Sequence, residues 1–282
     1  MNNKGRERVD EVSQYYAPIE KLGKISAVLF WSIAALSFAM PYSASIFGKA
    51  TADIIQAFFL VLVLAYFSIS QISSLYLVPR AELMRRKQLL SDSFGVPLSH
   101  DHTSLYYNNS FSPSVQRLGA NTMENSLFSK EIASRMLGRK RIIIFGYLLT
   151  WLIAFSVRHD NLELLTWITQ LIFSGKILSE WLKLEILRFR HERTYDELYS
   201  HFLHKLGQDS PCATANVLNA FTTYEAAKST AGILLSTNDF QKLNLDLSKR
   251  WKQICKELDM QNERVHPSYA IEYKYLRLKT RS

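Results

Sequence analysis

Glu197, His201 and His204 stand at i, i+4 and i+7, share one helix face and could hold a metal ion. A zinc helix of the HExxH kind sets its histidines four apart around a general-base glutamate; these two are three apart, so the trio reads as a solvated face. His100, Asp101 and His102 could bind or relay protons, yet three consecutive residues carry little specificity. There is no phosphate-cradling glycine loop, no GxSxG elbow, no GxGxxG after a strand and no cysteine beside a catalytic-looking histidine. The expectation is a chain that is not an enzyme and needs no cofactor or metal. Cys212 and Cys255 read as ordinary small apolar residues.

The densest polar chemistry falls between positions 85 and 125. Arg85, Arg86, Asp92, Tyr106, Tyr107, Asn108, Arg117, Glu124 and Asn125 together offer what a small polar ligand needs. The tyrosines supply stacking faces, the amides read edges, and Arg117 suits a phosphate. The plainer alternative is a polar loop with its tyrosines packed on neighbouring helices or at a membrane interface. Arg85, Arg86 and Lys87 similarly read as a topology anchor or acidic-lipid contact, or as part of an anionic-ligand site.

What must position these groups is membrane-like. Residues 25–47 and 54–78 run 23 and 25 residues without a charge. At about 1.5 Å per residue each exceeds the roughly 30 Å hydrocarbon core. The link between them is so short that they must form an antiparallel hairpin, and Pro41 should kink the first near its far end. A second hairpin, 142–157 and 162–182, is weaker. Its first arm has 16 residues between Arg141 and Arg158, about 24 Å of helix, and spans only if the arginines snorkel or the bilayer thins. Its second arm carries Glu163, Gln170, Lys176 and Glu180, the last two near the opposite interface. With Gln71 of the first hairpin, Gln170, Lys176 and Glu180 form the intramembrane polar set.

The net charge of +9 is mostly topological. Residues 1–24, 79–141 and 183–282 hold 31 of the 34 Lys and Arg. By the positive-inside rule all three lie in the cytoplasm, and no nucleic-acid partner is needed to explain them. No removable signal peptide is evident. The expected organisation is all-α: a cytoplasmic N-terminus (1–24), a first transmembrane hairpin (25–78), a cytoplasmic middle segment (79–141), a second hairpin (142–182) and a cytoplasmic stalk and tail domain (183–282).

Within these parts the sequence predicts a helix opening at Pro79, breaks at Phe94-Gly95 and over 108–113, and a helix over 123–137 capped by Asn121 or Thr122. The fourth span should run on as a helix to position 206, its apolar stripe packing within the subunit or against a second copy. Two tail helices follow, 213–235 and 240–260, the latter with Leu243, Leu247, Trp251, Ile254 and Leu258 on one face. A tyrosine-rich basic terminus ends the chain.

Four spans in two hairpins, an intervening cytoplasmic segment, the RRKQLLSDSFG helix-to-loop passage (85–95) and a modest helical tail resemble the bacterial SMODS-associating four-transmembrane effectors of anti-phage defence. The resemblance implies a dormant inner-membrane protein, with both termini cytoplasmic, that oligomerises and permeabilises the membrane when its cytoplasmic parts sense a cyclic nucleotide or a protein partner. The hydroxyls and amides of the spans could line a pore in such an assembly. The competing expectations are a non-catalytic anchor or scaffold recruiting soluble partners, and an orphan channel or transporter.

Overall fold

The helix that starts at Lys49 does not stop at Pro79. In the computed structural model, which describes residues 9–101, 103–104, 106–156, 176–204 and 210–260, α2 (Lys49–Ile72) passes through a π-helical turn (Ser73–Leu77) straight into α3 (Val78–Phe94). This corrects the expected start at Pro79. A proline lacks the N–H for the carbonyl four residues back and its ring crowds that carbonyl; the wider π turn just before it absorbs both problems without breaking the rod. The 46 residues from Lys49 to Phe94 make a rod of about 69 Å. It ends where expected, at Gly95, whose φ of 67° lies in the left-handed region.

Among the described residues this is the helix long and apolar enough to cross a membrane; its most apolar window has a mean hydropathy of 2.1 and no buried residue. Before it, α1 (Ala17–Phe47) packs alongside α2 and continues past Pro41, presenting Val28, Trp31 and Ile46 to the exterior. The first expected hairpin is thus a helical hairpin. Of the second, positions 142–156 are helical with Ile142 and Phe145 exposed, while 157–175 fall outside the described residues together with Gln170.

Positions 142–156 are the end of α4 (Val115–Ser156), a rod of about 63 Å. The expected cap at Asn121 or Thr122 is therefore corrected. Asn121 is fully buried mid-helix, donating to Asp92 Oδ2 (2.9 Å) and Ser93 Oγ (3.0 Å) and accepting from Asn109 Nδ2 (2.6 Å). Thr122 returns its hydroxyl to the Leu118 carbonyl at 2.7 Å. Side chains that favour caps in isolation can sit inside a helix when tertiary partners satisfy them.

The first half of α4 is buried nearly all round, the pattern of a central core helix. Around it pack α3, α5 (Lys176–Leu203), α6 (Pro211–Ala231) and α7 (Thr237–Glu257). One cluster joins Leu89, Leu118, Met123, Leu198, Val217 and Trp251; a second joins Leu137, Leu184, Leu187 and Ala227. The middle segment and the tail therefore build one core. α5 packs by its stripe within the subunit, so over 184–202 it is a core helix and not a free stalk. Both tail helices begin earlier than expected. Ser210 and Ser236 cap them through the N–H groups of Ala213 (3.1 Å) and Asp239 (3.2 Å), and α6 ends at Gly232, φ 58°. Residues 261–282, with the tyrosine-rich terminus, lie outside the described residues.

The remaining order comes from loops stitched onto this core. Val9–Asp10 (β1) pairs antiparallel with Thr103–Ser104 (β2), a single short bridge in an otherwise all-α fold. Trp251 Nε1 donates to the Asn108 carbonyl at 3.0 Å, tying the 106–114 loop to α7.

α4 comes close to α5 and α6 at Gly119, where an added Cβ would meet Phe202 Cζ and both Val217 methyls at 3.2 Å. Gly119→Val should lower stability by about 1–3 kcal/mol through overpacking. Gly138→Ala, on the same helix with nothing within 4 Å, should raise it by about 0.5–1 kcal/mol. Thermal unfolding of the detergent-purified chain followed by circular dichroism checks both; equal midpoints for the two variants would contradict this packing.

Candidate ligand-binding cavity

A partly open cavity of about 600 Å³ lies where α1, α3, α4, α5, α6 and α7 converge, within the usual range for small-molecule sites. Its walls mix tyrosines and phenylalanines with amides, hydroxyls and charged groups.

One charged group is Lys228 of α6. Its ammonium pairs with Glu82 of α3 and lies 3.3 Å from Glu225 Oε1 and 5.3 Å from the Tyr224 ring centroid. Glu225 in turn accepts from Arg86 Nε at 2.8 Å. Burial works against the charge on Lys228, but Tyr224, Glu82 and Glu225 outweigh it and raise its pKa. The lysine is a fixed cation with its partners already in place. Such buried networks position helices, and loss of one partner costs far more than the net worth of the pair.

The second is Arg85 of α3. Its two Nη atoms donate to the Asp10 carboxylate at 3.0 and 3.1 Å. The guanidinium also sits 4.7 Å from the Tyr106 centroid and 5.6 Å from that of Tyr16. Asp10 belongs to β1, so a strap over residues 9–16 is clasped to α3 before α1 begins. Gln14 Nε2 and the Tyr15 hydroxyl extend the clasp to Asp101, each at 3.2 Å.

On the α4 side, Glu124 accepts from the Asn108 backbone N–H (3.1 Å) and Nδ2 (2.9 Å), and Asn125 Nδ2 donates to the Tyr107 hydroxyl at 3.3 Å. Tyr106 and Tyr107 meet edge to face at 4.9 Å. Burial raises the pKa of both the Tyr107 and Tyr224 phenols, so they stay protonated near neutrality.

His191 of α5 is different. It is fully buried, 5.0 Å from the Tyr224 ring, and neither ring nitrogen has a hydrogen-bond partner. Burial and the Lys228 charge lower its pKa to about 3, so the imidazole is neutral at physiological pH. An unpartnered buried polar group is costly, and one lining a cavity invites a ligand.

Of the residues singled out from the sequence, Arg85, Tyr106, Tyr107, Asn108, Glu124 and Asn125 line this cavity together. Arg86 reaches it only through Glu225. Asp92 and Arg117 are not among its walls; they pair with each other at 2.9 and 3.3 Å. In the polar set, Gln71 is half-buried on α2, Lys176 opens α5, and Glu180 pairs with Lys140 at 2.6 Å. Glu197 pairs with Arg193 at 2.9 Å, His201 Nε2 lies 3.3 Å from Gln116 Oε1, and His204 Nδ1 meets the Ser200 carbonyl at 2.7 Å. Among the described residues no group of three His, Cys, Asp or Glu could hold a metal ion; His102 lies outside them.

Sequence reasoning missed Asp10, His191, Tyr224 and Lys228. One signal was available for the last: Glu225 and Lys228 are the sole charges in residues 211–237, a stretch rich in alanine and threonine.

The depressed His191 pKa gives a pH test. An unfolded histidine takes its proton near 6.5 whereas the folded one resists until about 3, so stability is fully present above 6.5 and falls as pH drops through that window. Relative to His191→Leu, the wild-type chain should lose about 2 kcal/mol between pH 7 and pH 5. Urea unfolding of both proteins across that range is the measurement; parallel pH profiles would show that the ring is not held neutral.

Comparison of this chain with protein-family models, curated proteins and solved structures yielded no match.

Proposed function

We propose that this chain is a membrane effector in which a ligand cavity controls membrane-spanning helices. The observation that carries the reading is helix continuity. The rod Lys49–Phe94 is apolar and unburied at one end and contributes Glu82, Arg85 and Leu89 to the cavity at the other. α4 repeats the arrangement, with Phe145 and Ile153 exposed at one end and Glu124, Asn125 and Ser129 at the cavity. α1 adds Ala17 and Glu20, and α5 adds Leu187 and His191. A continuous hydrogen-bonded helix transmits displacement along its length, so a ligand that shifts these walls moves what lies beyond them.

In this reading the chain crosses a bacterial inner membrane four times, in two hairpins, with both termini in the cytoplasm. The pairs Lys140–Glu180 (2.6 Å) and Arg141–Glu185 (2.6 Å) support the second hairpin, because opposite charges joined at its base can sit at an interface where lone charges could not. The described core is the cytoplasmic sensor. The resting chain is dormant; on sensing a small ligand or a protein partner it assembles with copies of itself and permeabilises the membrane. That role agrees with the resemblance to anti-phage four-transmembrane effectors.

Induced expression in a bacterial host carrying a membrane-potential dye tests the reading. Depolarisation within minutes is expected under the activating condition. Leu64→Glu and Phe145→Glu, on the exposed apolar faces of α2 and α4, should abolish it. Absence of depolarisation under phage challenge and overexpression alike, with a stoichiometric soluble partner recovered on pull-down, would replace the effector by an anchor.

A further inference from the structure

We propose that the cavity takes an uncharged or cationic nitrogen heterocycle of the nucleobase or nucleoside class and turns away its phosphorylated forms. The inference rests on the reading of the cavity as the input site and names what enters it.

Charge comes first. Asp10, Glu20, Glu82, Glu124 and Glu225 face Arg85 and Lys228 alone among the cavity's lining residues, and both cations are already engaged. Arg85 is held through both Nη atoms by Asp10, which is fixed by the β1–β2 bridge; Lys228 is held by two carboxylates. A phosphate entering here would have to displace a bidentate carboxylate or stay unpaired among acidic groups, and burying an unpaired anion is prohibitively costly. Arg117, the residue whose type best suits a phosphate, is paired to Asp92 and is not a lining residue.

Shape and hydrogen bonding then favour a planar, edge-reading ligand. Tyr106, Tyr107 and Tyr224 line one side, with Arg85 already over the Tyr106 ring and Lys228 over that of Tyr224, and Phe128 with Phe240, centroids 6.1 Å apart, adds aromatic surface on another. His191 offers one donor and one acceptor, both without partners. With its low pKa it stays neutral and adds no positive charge that would attract an anion. The neutral, unpartnered donor and acceptor of His191 match the mixed edge of a nitrogen heterocycle, whereas an anion calls for donors alone; Asn244, whose Oδ1 accepts from Ser248 Oγ at 3.5 Å, adds an amide to the same lining.

The test uses the full chain in detergent, titrated by calorimetry with adenosine, guanosine, cytidine and uridine, their free bases, their 5′-monophosphates, and cyclic mono- and dinucleotides. At least one nucleoside or base should bind, its own monophosphate at least tenfold more weakly. His191→Leu should reduce that binding at least tenfold without lowering the unfolding temperature at pH 7, because the wild-type ring has no hydrogen bond to lose. Tighter binding of a phosphorylated form, or no binding by any base or nucleoside, overturns the ligand class. Depolarisation by His191→Leu in cells separates the two levels. If no heterocycle binds but His191→Leu abolishes depolarisation, the ligand class fails while the cavity stands as the input site. If His191→Leu loses the binding yet depolarises like wild type, the cavity is not the input and that reading fails, while the ligand class is decided by the titrations alone.

Discussion

A helix cannot be cut where its surroundings change. Each rod in this protein must satisfy its backbone internally along its whole length, so one continuous hydrogen-bonded element meets two different environments. α4 shows the consequence most plainly. Its first half buries Leu118, Met123 and Leu127 together with Asn121, Thr122 and Ser126, each polar side chain satisfied; its last fifteen residues offer Ile142, Phe145 and Ile153 to the exterior. The same division runs along Lys49–Phe94, where a π turn keeps the rod unbroken at Pro79. Everything else follows from having to fasten such rods together at one end.

The fastening is electrostatic as much as apolar. Lys228 binds α6 to α3 through Glu82, Arg86 repeats the link through Glu225, and Arg139 and Arg135 of α4 reach the fully buried Asp239 that opens α7. Asp239 also sits in the first turn of its helix, where the macrodipole favours a negative charge. These pairs are oriented across helices, so any rearrangement of the cavity must break or exchange them as units. That makes the helical core a candidate for two discrete arrangements instead of gradual deformation.

Much of this architecture was legible in the sequence, and the failures have physical causes. Charge-free runs announce α1 and α2 directly, Gly95 ends α3 as its type requires, and Leu247, Trp251 and Ile254 fall on the buried face of α7 as their spacing predicts, with Leu243 half-buried and Leu258 buried just past the helix end. Asn121 misled because its cap-forming chemistry is used by Asp92, Ser93 and Asn109, contacts that no local window contains. Pro79 misled because a preceding π turn leaves no mark in residue type. The tyrosines and amides of 106–125 pointed to the cavity because they cluster in sequence. His191 lies far along the chain in a helix of ordinary appearance, and although Glu225 and Lys228 stand out as the sole charges of 211–237, only folding brings His191 and Lys228 into one cavity with Tyr16, Glu82 and Arg85.

The central claim is that the exposed apolar ends of α2 and α4 lie in lipid while the helical core stands in water. Nitroxide labels at Leu64 and Phe145, compared with labels at Leu203 and Leu218 on exposed core positions, test it in reconstituted vesicles by power-saturation electron paramagnetic resonance. The first pair should be open to oxygen and shielded from a water-soluble nickel chelate, the second pair the reverse. Equal access of the nickel chelate to all four positions would contradict the claim.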